Sequence, residues 1–406
     1  MRSNLALKAS VKSIRFRSAL ALQCFNNDFI YEQSPDEAKA LRRLEEAVEN
    51  QLALGIQPSV QVVLCLASFK PLKEYGFHDK IKANAEIKEV LTRQVNEPFQ
   101  EASIKAQVES FKAVTDVVSQ RVKSQYENSP YPKWVNLGLP SQSETISEMV
   151  SRLRIPHSPN SLPKVLEPRI LVAGCGTGQD ALTTASGIKN SKVLSVDISF
   201  SSLAFAIRQA RDHDIKNIEF LQADILSLTG LEKRFDIIES TGVLHHMRQP
   251  MTGWKILTDL LKPGGLMRIA LYSRLARQDI VRIRDEIKTR KIGSGSADIK
   301  AFRQEIIERG DANYGNIFKS SDFYSLASVH DLLFNAEEHL FSLGQLKLCL
   351  QQLGLTFCCF DEKVMKKFTS ETNSERTNNL DEWQKFEELN PDTFASMYQF
   401  WCQKEL

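Results

Sequence analysis

The stretch Arg169-Ile-Leu-Val-Ala-Gly-Cys-Gly-Thr-Gly178 decides the fold of this chain. Its first half is a short apolar run, typical of a buried strand, and its second half is a turn of small residues. A second apolar run, Lys192–Asp197, follows and ends in a carboxylate. A strand, a glycine-rich turn and an acid at the tip of the next strand are the parts from which a βαβ unit builds a pocket for an adenosine-containing ligand.

The spacing of the glycines separates the possible ligands. A dinucleotide-binding turn needs its third glycine at position 179, and that position holds Gln179. A P-loop needs a Gly-Lys-Ser/Thr triplet, and no such triplet follows. The pattern present is Gly174-x-Gly176-x-Gly178.

Three further segments alternate short apolar strands with helices, which points to a parallel sheet. Leu221–Ile225 ends a third strand in an acid, and Phe235–Met247 contains a fourth strand with the loop that follows it. Leu261–Gly265 is typical of a turn that enters a fifth strand, Leu266–Tyr272. In type and order, these segments and the glycine turn resemble the motifs of class I S-adenosylmethionine-dependent methyltransferases.

This resemblance implies an α/β fold with a doubly wound, mostly parallel seven-stranded sheet, the Rossmann-like methyltransferase fold. Two late strands, Leu355–Phe360 and Ser396–Cys402, would supply its reversed terminal hairpin. The residues from 275 to about 350 are helical and polar in pattern, broken by Gly293–Ser296 and Gly315. They would form a helical insertion before the last two strands.

The length of 406 residues suggests two or three domains. We predict a helical N-terminal domain over 1–125, a lid and linker over 126–168, and the methyltransferase domain over 169–406. Pro35–Leu52 and Val108–Val122 show helical spacing of apolar residues. Two prolines in Tyr126–Trp134 interrupt the helices, and a short helix is expected near Glu144–Leu153 in the linker.

Over most of its length the chain resembles a bacterial family whose methyltransferase domain is often fused to tetratricopeptide repeats. The repeats are absent here, and the resemblance supplies no substrate. The segments that carry it are Cys24–Ile30, Tyr126–Trp134, Asp331–His339 and Asn390–Tyr398.

Composition excludes several classes of protein. A net charge of +2 gives no strong field to recruit nucleic acid or membrane, and the longest apolar run, Val60–Phe69, is too short to span a bilayer. Seven scattered cysteines without Cys-x-x-Cys spacing favour free thiols in a reducing compartment. We therefore expect a cytoplasmic protein. The basic N-terminal residues favour a surface helix over an amphipathic targeting segment; they are Arg2, Lys8, Lys12, Arg15 and Arg17.

The resemblance places S-adenosyl-L-methionine at the strand tips. The glycines would let the backbone approach its methionine tail, and the helix starting near Gln179 would face the tail carboxylate. Asp197 would accept hydrogen bonds from both ribose hydroxyls. Ile198 and Ile225 would sandwich the adenine, and Asp224 would accept from its amine. The predicted cofactor-binding residues are Ala173, Gly174, Cys175, Gly176, Thr177, Gly178, Asp197, Ile198, Asp224, Ile225, Ser240, Thr241 and Gly242.

Structural alternatives stand beside these roles. The glycines could serve only a tight strand–helix turn, and Asp197 and Asp224 could cap helices. Cys175 is expected to fill space and not to act as a nucleophile.

Methyl transfer is an in-line displacement at an activated carbon, so alignment can supply much of the rate. A base is needed only where the acceptor must lose its proton in the rate-limiting step. Candidate catalytic residues are Tyr131, His245, His246 and Tyr272, and candidate substrate contacts are Trp134, Leu244 and His339. The adjacent histidines have poor spacing for a metal, and no metal is predicted.

The acceptor is left open. A small molecule is our first expectation, because Glu239–Gly242 stands where enzymes that methylate planar amide-like nitrogens carry an Asn/Asp-Pro-Pro-Tyr/Phe motif. An RNA or protein methyltransferase is the alternative, with the basic run Arg274–Lys291 as a phosphate contact or, more simply, a solvated helix face. A cofactor-binding interaction module without catalysis is the third hypothesis. The sequence does not give the oligomeric state.

Overall fold

The computed structural model describes residues 13–155, 162–310, 314, 317–372, 378–394 and 397–406. Several residues used in the sequence predictions lie outside this part of the chain: Arg2, Lys8, Lys12, Gly315 and Ser396. The chain folds as two compact units. The helical unit comprises residues up to Ser103 together with Ile283–Phe334, and the sheet unit comprises Ile104–Arg282 together with Asn335–Leu406.

The helices of the described residues, in chain order, are α1 Ile14–Asn26, α2 Pro35–Ala53, α3 Val60–Leu66, α4 Lys88–Leu91, α5 Glu97–Lys105, α6 Val117–Asn128, α7 Ile146–Arg152, α8 Gln179–Gly187, α9 Phe200–Asp212, α10 Pro250–Leu260, α11 Gln278–Arg290, α12 Ser296–Arg309, α13 Leu326–Phe334, α14 Leu343–Leu353, α15 Glu362–Thr372 and α16 Leu380–Leu389. The strands are β1 Arg169–Ala173, β2 Lys192–Asp197, β3 Ile218–Gln222, β4 Phe235–Thr241, β5 Leu261–Tyr272, β6 Leu355–Phe360 and β7 Met397–Lys404.

The seven strands form one sheet in the order β3-β2-β1-β4-β5-β7-β6. Neighbours from β3 to β5 are parallel, whereas β7 runs antiparallel to both β5 and β6. The predicted fold class, with its reversed terminal hairpin, is confirmed. Because the first five strands are parallel, the ends of β1, β2 and β4 meet at one edge of the sheet, where such folds bind their ligands.

Apolar layers cover both faces of the sheet, as the near-continuous apolar runs of its central strands require. On one face Leu171, Ile238 and Met267 pack with Trp254 of α10. On the other, alternate residues of the same strands pack with α7, α8 and α9; they include Ile170, Val172, Val193, Ile237 and Leu266.

Two local predictions were wrong. The helix predicted over 108–122 begins only at Val117, where Asp116 caps it. The residues before it lie beside β3: Gln222 donates its backbone N–H to the Glu109 carbonyl, and Phe111 donates to the Gln222 carbonyl. This long-range pairing overrides local helical spacing. The segment predicted as a turn before the fifth strand is itself part of β5, with a register shift against β4.

The helical unit joins segments distant in sequence. The carboxylate of Asp28 accepts from the Ser325 hydroxyl at 3.1 Å and from the Ala327 N–H at 3.2 Å, at the start of α13. Of the residues between β5 and β6, Ile283–Phe334 therefore fold with the N-terminal helices, and the unit boundaries differ from the predicted domain limits at 125 and 168. No helix in the described ranges is long and apolar enough to cross a membrane.

Candidate active site

The loop between β1 and α8 is bound to the end of β2. The N–H groups of Gly174 and Cys175 both donate to the Val196 carbonyl, at 2.8 and 3.0 Å. Gly178 has φ +88°, and a Cβ there would lie 2.7 Å from the Cβ of Ala206 on α9. Only glycine lets α8 begin this close to α9. Packing is therefore one reason for the third glycine, as the structural alternative holds.

Asp197 lies at the tip of β2, against the glycine loop. Its Oδ2 accepts from the Gly176 N–H at 2.7 Å and its Oδ1 from the Ser199 N–H at 2.9 Å. Burial raises the pKa of this carboxyl to about 6; the N–H donors oppose the rise and Glu127 adds to it. A carboxylate offers about four lone-pair positions, so acceptor capacity remains beyond these N–H donors. The carboxylate lies beside the loop as its ribose role requires, and the ribose contact itself stays a prediction.

Asp224 follows β3 and caps the short 3-10 helix Ile225–Gly230, since its Oδ1 accepts from the Leu226 N–H at 3.0 Å. The capping alternative is therefore present for one of its two oxygens. Ile225 is buried and Ile198 is half-buried. Their contacts with an adenine stay predictions.

A strap, Glu127–Trp134, lies against the glycine loop. Thr177 donates its hydroxyl to the Pro132 carbonyl. A Cβ at Gly176 would come within 2.7 Å of the Tyr131 carbonyl oxygen. The second glycine therefore lets the strap approach the loop. Tyr131 is a candidate catalytic residue, and its backbone is thereby placed next to the predicted donor pocket.

Glu127 fixes the start of the strap, and the sequence analysis missed it. Its carboxylate accepts from the N–H groups of Phe200 and Ser201 at the start of α9, at 2.6 and 3.3 Å. Lys105 donates to it at 2.6 Å. Burial opposes the shift, but these donors hold the pKa of Glu127 below its ordinary value. No local spacing could reveal the role, because its partners are distant in sequence.

Trp134 ends the strap in an apolar cluster and not beside the histidines. Its ring meets the edge of Phe205 at 5.4 Å between centroids, and it packs with Leu182 and Ala210 on α8 and α9.

The tip of β4 presents unsatisfied polar groups. Among the described residues, the buried hydroxyls of Ser240 and Thr241 have no hydrogen-bond partner. Gly242 follows with φ +75°, and a Cβ there would meet nothing within 4 Å. Buried polar atoms without partners are rare in native proteins, and each calls for a ligand or water.

His245 follows this tip and is fully buried. Neither ring nitrogen has a partner of normal hydrogen-bond geometry among the described residues, although the Ala270 backbone lies near enough to oppose its pKa shift. Burial, followed by His246, Arg277 and His339, lowers the pKa of His245 well below its ordinary value. The imidazole is therefore uncharged at neutral pH, with one donor and one acceptor nitrogen.

Tyr272, at the end of β5, stacks on His245 with 3.7 Å between ring centroids. The guanidinium carbon of Arg277 lies 3.5 Å from the centroid of the same Tyr272 ring. Two groups so close to one centroid must occupy opposite faces of the ring. Arg277 in turn donates from Nε and Nη2 to the two Glu338 oxygens, at 3.1 and 2.9 Å. Sequence reasoning missed Arg277 and Glu338 as partners.

The other candidates take different places. His246 Nδ1 lies 2.7 Å from the Glu337 carbonyl oxygen. His339 donates its backbone N–H to the His245 carbonyl at 2.8 Å. Leu244 is buried in the apolar layer against α10 and offers no surface to a substrate. The structure thus brings His245, His246, Tyr272 and His339 together, and leaves Trp134 elsewhere.

Three of the seven cations in the basic run Arg274–Lys291 form ion pairs. Arg282 pairs with Asp279, Arg290 pairs with Glu286 at 2.7 Å, and Arg277 pairs with Glu338. These pairs favour the solvated-face interpretation over a patch for phosphates.

The sheet region of this chain is similar to known proteins. A family model described as a methyltransferase domain matches residues 167–320. An uncharacterised protein of Synechococcus sp. is 27% identical over 68% of this chain and 69% of its own length. Malonyl-[acyl-carrier protein] O-methyltransferase of Paenibacillus sp. is 30% identical, over 26% of this chain and 39% of its own length. This chain thus spans well under two thirds of that named relative.

Among solved structures, PKMT2 from Rickettsia typhi in complex with AdoHcy is similar with a TM-score of 0.47, at 17% identity over 65% of this chain and 55% of that one. The matched residues 167–320 include the strand ends described above. Domain match and sheet topology together support a class I methyltransferase with S-adenosylmethionine as its methyl donor.

Proposed function

We propose that this chain transfers the methyl group of S-adenosyl-L-methionine to an uncharged small-molecule acceptor. The observation that carries the proposal is the hydrogen bond that the Gly176 N–H donates to Asp197 Oδ2, with 2.7 Å from nitrogen to oxygen. It lies at the edge of the sheet where the parallel strands end. It puts an acid with spare lone pairs beside a glycine loop and a helix N-terminus within a domain matched as a methyltransferase.

The residues present fit the donor. The first turn of α8 follows Gly178, which has no side chain to cap it, so its N–H groups can bind a carboxylate. Asp197 would hold the ribose hydroxyls, and Asp224, with one oxygen occupied, would take the adenine amine. The unpartnered hydroxyls of Ser240 and Thr241 would face the methionine part. Ala173, Cys175 and Thr177 complete this wall.

When bound, the sulfonium supplies an electrophilic methyl carbon. The acceptor lone pair forms the new bond to that carbon as the carbon–sulfur bond breaks and its electrons return to sulfur. The chain aligns the two partners, and the strap and the buried tip of β4 keep water from the reacting atoms. His245 is our candidate for the group that hydrogen-bonds the acceptor, with His246 and Tyr272 beside it.

The names of the relatives support a small or carrier-bound acceptor. One is a malonyl-[acyl-carrier protein] O-methyltransferase and another a ubiquinone biosynthesis O-methyltransferase. Both cover only a quarter to a third of this chain, so the acceptor does not transfer with the name. The ion pairs of Arg277, Arg282 and Arg290 take these three side chains out of a phosphate-binding patch and so weigh against an RNA acceptor. The relation to repeat-fused methyltransferases stays a prediction.

Titration calorimetry with S-adenosylmethionine and with its demethylated product tests donor binding. We expect Asp197→Asn to weaken binding about 10- to 100-fold, because charge-assisted hydrogen bonds contribute about 1.5–3 kcal/mol. Asp259→Asn, an exposed carboxylate paired with Lys255, is the matched control and should bind as wild type. Absence of binding heat from well-folded wild-type protein would refute the proposal.

Methyl transfer is tested with donor labelled in the methyl group and whole cell extract, which is separated after the reaction into small-molecule and macromolecular fractions. Label in the small-molecule fraction supports a small acceptor. Label only in the macromolecular fraction would favour the RNA or protein alternative. Tight donor binding without any labelled product would favour the cofactor-binding interaction module.

A further inference from the structure

A stack of three side chains lies at the ends of β4 and β5. The His245 imidazole and the Arg277 guanidinium cover opposite faces of Tyr272, at 3.7 and 3.5 Å from its centroid. Arg277 cannot move away easily, because Glu338 binds it in a bidentate pair and both side chains are at most 4% exposed. At one end of the stack, Arg277 is therefore fixed by its buried ion pair with Glu338. At the other end lies the His245 imidazole.

Backbone hydrogen bonds hold the same groups from a second side. The closing segment, Asn335–Phe341, donates from its His339 N–H to the His245 carbonyl at 2.8 Å and from its Phe341 N–H to the Tyr272 carbonyl at 2.9 Å. Glu338 belongs to this segment. The closing segment thus binds the backbone of both His245 and Tyr272, and through Glu338 it also binds Arg277.

The polar groups around His245 have partners of their own. On the loop after β4, His246 is bound to a backbone carbonyl. On β5 and beyond it, Tyr272 is covered by Arg277, which Glu338 neutralises. On the closing segment, His339 Nε2 lies 3.2 Å from a Glu337 oxygen. Arg274 Nη2 donates to the carbonyl of Leu340 and to Gln345. The two carboxylates of this segment, Glu337 and Glu338, are thus engaged by His339 and Arg277.

We propose that Arg277 and Glu338 are positioning residues: through Tyr272 they hold the His245 imidazole where it hydrogen-bonds an uncharged hydroxyl or amino group of the methyl acceptor. This rests on the proposed methyl transfer. Apart from the nearby Ala270 backbone, no described group bonds either nitrogen of this fully buried ring, which is the independent sign that a ligand group belongs there. The acceptor group donates a hydrogen bond to one His245 nitrogen; as its oxygen or nitrogen takes the methyl, the carbon–sulfur bond breaks, and the proton that methylation makes acidic leaves the product for solvent.

The test that needs neither donor nor acceptor is a titration of the histidines by NMR. In chain carrying ¹⁵N-labelled histidine, the spectrum of His245→Gln assigns the signals of His245. In wild type we expect these signals to stay those of a neutral ring between pH 8 and pH 5. Arg277→Met removes the nearby cation while Glu338 keeps its negative charge, so we expect the His245 midpoint to rise by at least one pH unit.

The matched control is Arg152→Met. It removes another bidentate arginine–glutamate pair, that of Arg152 at the end of α7 with Glu144. It should leave the His245 signals unchanged. A wild-type His245 that titrates near pH 6.5, or an Arg277→Met midpoint equal to that of wild type, would overturn the proposal.

Should Arg277→Met fail to fold, the pair Tyr272→Phe and Tyr272→Leu decides the question. Phenylalanine keeps the stack and leucine removes it. We expect Tyr272→Leu, and not Tyr272→Phe, to shift the His245 signals, and Tyr272→Leu to reduce labelled transfer at least tenfold with donor affinity within twofold of wild type. Unchanged His245 signals in Tyr272→Leu would refute the positioning role. Failure of the proposed function would appear instead as absent donor binding, while the histidine titration stays readable.

Discussion

At the scale of single residues, Gly178 carries two demands at once, a left-handed φ and close contact with α9. We expect Gly178→Ala to lower the free energy of unfolding by about 2–4 kcal/mol, the sum of about 1 kcal/mol of backbone strain and an overpacking cost of about 1–3 kcal/mol. Gly354→Ala is the control, because its φ is +62° but a Cβ there meets nothing within 4 Å. It should cost only the strain. Urea unfolding measures both, and equal losses would contradict the packing argument.

Glu239, on β4, makes stability depend on pH. Burial raises the pKa of its carboxyl to about 7 although Arg268 opposes the rise, and Thr184 donates to it at 3.0 Å. Between the ordinary value of 4.5 and about 7 the folded chain holds a proton that the unfolded chain has lost, so stability falls as pH rises through this window. Glu239→Gln keeps an acceptor for Thr184 and removes the titration.

We therefore expect Glu239→Gln to gain about 1–3 kcal/mol over wild type between pH 5 and pH 8. Urea unfolding of both proteins at the two pH values measures it. Asp197, whose raised pKa acts in the same direction, contributes equally to both proteins and cancels. Wild-type and variant curves that stay parallel from pH 5 to pH 8 would show that Glu239 is ionised throughout.

The sequence could predict a site residue only where its interaction partners lie close to it along the chain. Asp197 and the glycines stand at fixed spacings within one βαβ unit, so their common place at the strand tips could be expected. Arg277 and Glu338 lie on opposite sides of the insertion, and nothing in the spacing predicts that they meet. The buried state of His245 likewise comes from a segment that joins it from far along the chain.

At the scale of elements, the strap depends on one capping contact. Glu127→Ala leaves the N–H groups of Phe200 and Ser201 without their acceptor, and loss of such a cap costs about 0.5–2 kcal/mol. We expect that loss in unfolding free energy together with weaker donor binding, since the strap lies against the glycine loop. Lys105→Met, which removes the half-exposed cation but keeps the cap, should change both by less. Equal effects of the two variants would show that the ion pair matters and the cap does not.

Elements were predictable where local pattern and tertiary packing agree. The capping box at Ser34 with Glu37 begins α2 where the sequence indicated, and the apolar runs of β1, β2 and β6 are the strands observed. Residues 108–116 were predicted helical from their spacing, but pairing with β3 holds them extended. Spacing alone does not report such a pairing, because the partner strand is more than a hundred residues away.

At the scale of the whole molecule, the chain leaves the sheet unit after Arg282 and returns to it at Asn335. The residues between fold with the N-terminal helices, which sequence pattern alone did not predict. Hydrophobic periodicity identifies each helix, but the choice of partner depends on contacts across nearly the whole chain. Asp28 makes such contacts at the start of α13.

Asp28 tests whether the helical unit depends on this joint. Asp28 has φ +55°, a conformation that asparagine tolerates and alanine does not. Asp28→Asn keeps an acceptor for the Ala327 N–H, whereas Asp28→Ala loses the acceptor and adds backbone strain. We expect Asp28→Ala to destabilise the helical unit by about 2–3 kcal/mol and Asp28→Asn by less than half of that.

Hydrogen exchange should show faster exchange in α1 and α13 of the alanine variant. Exchange in the sheet strands and the donor affinity should stay as in wild type. Faster exchange throughout the sheet would mean that the two units unfold together, and unchanged exchange in α13 would mean that Asp28 does not hold it.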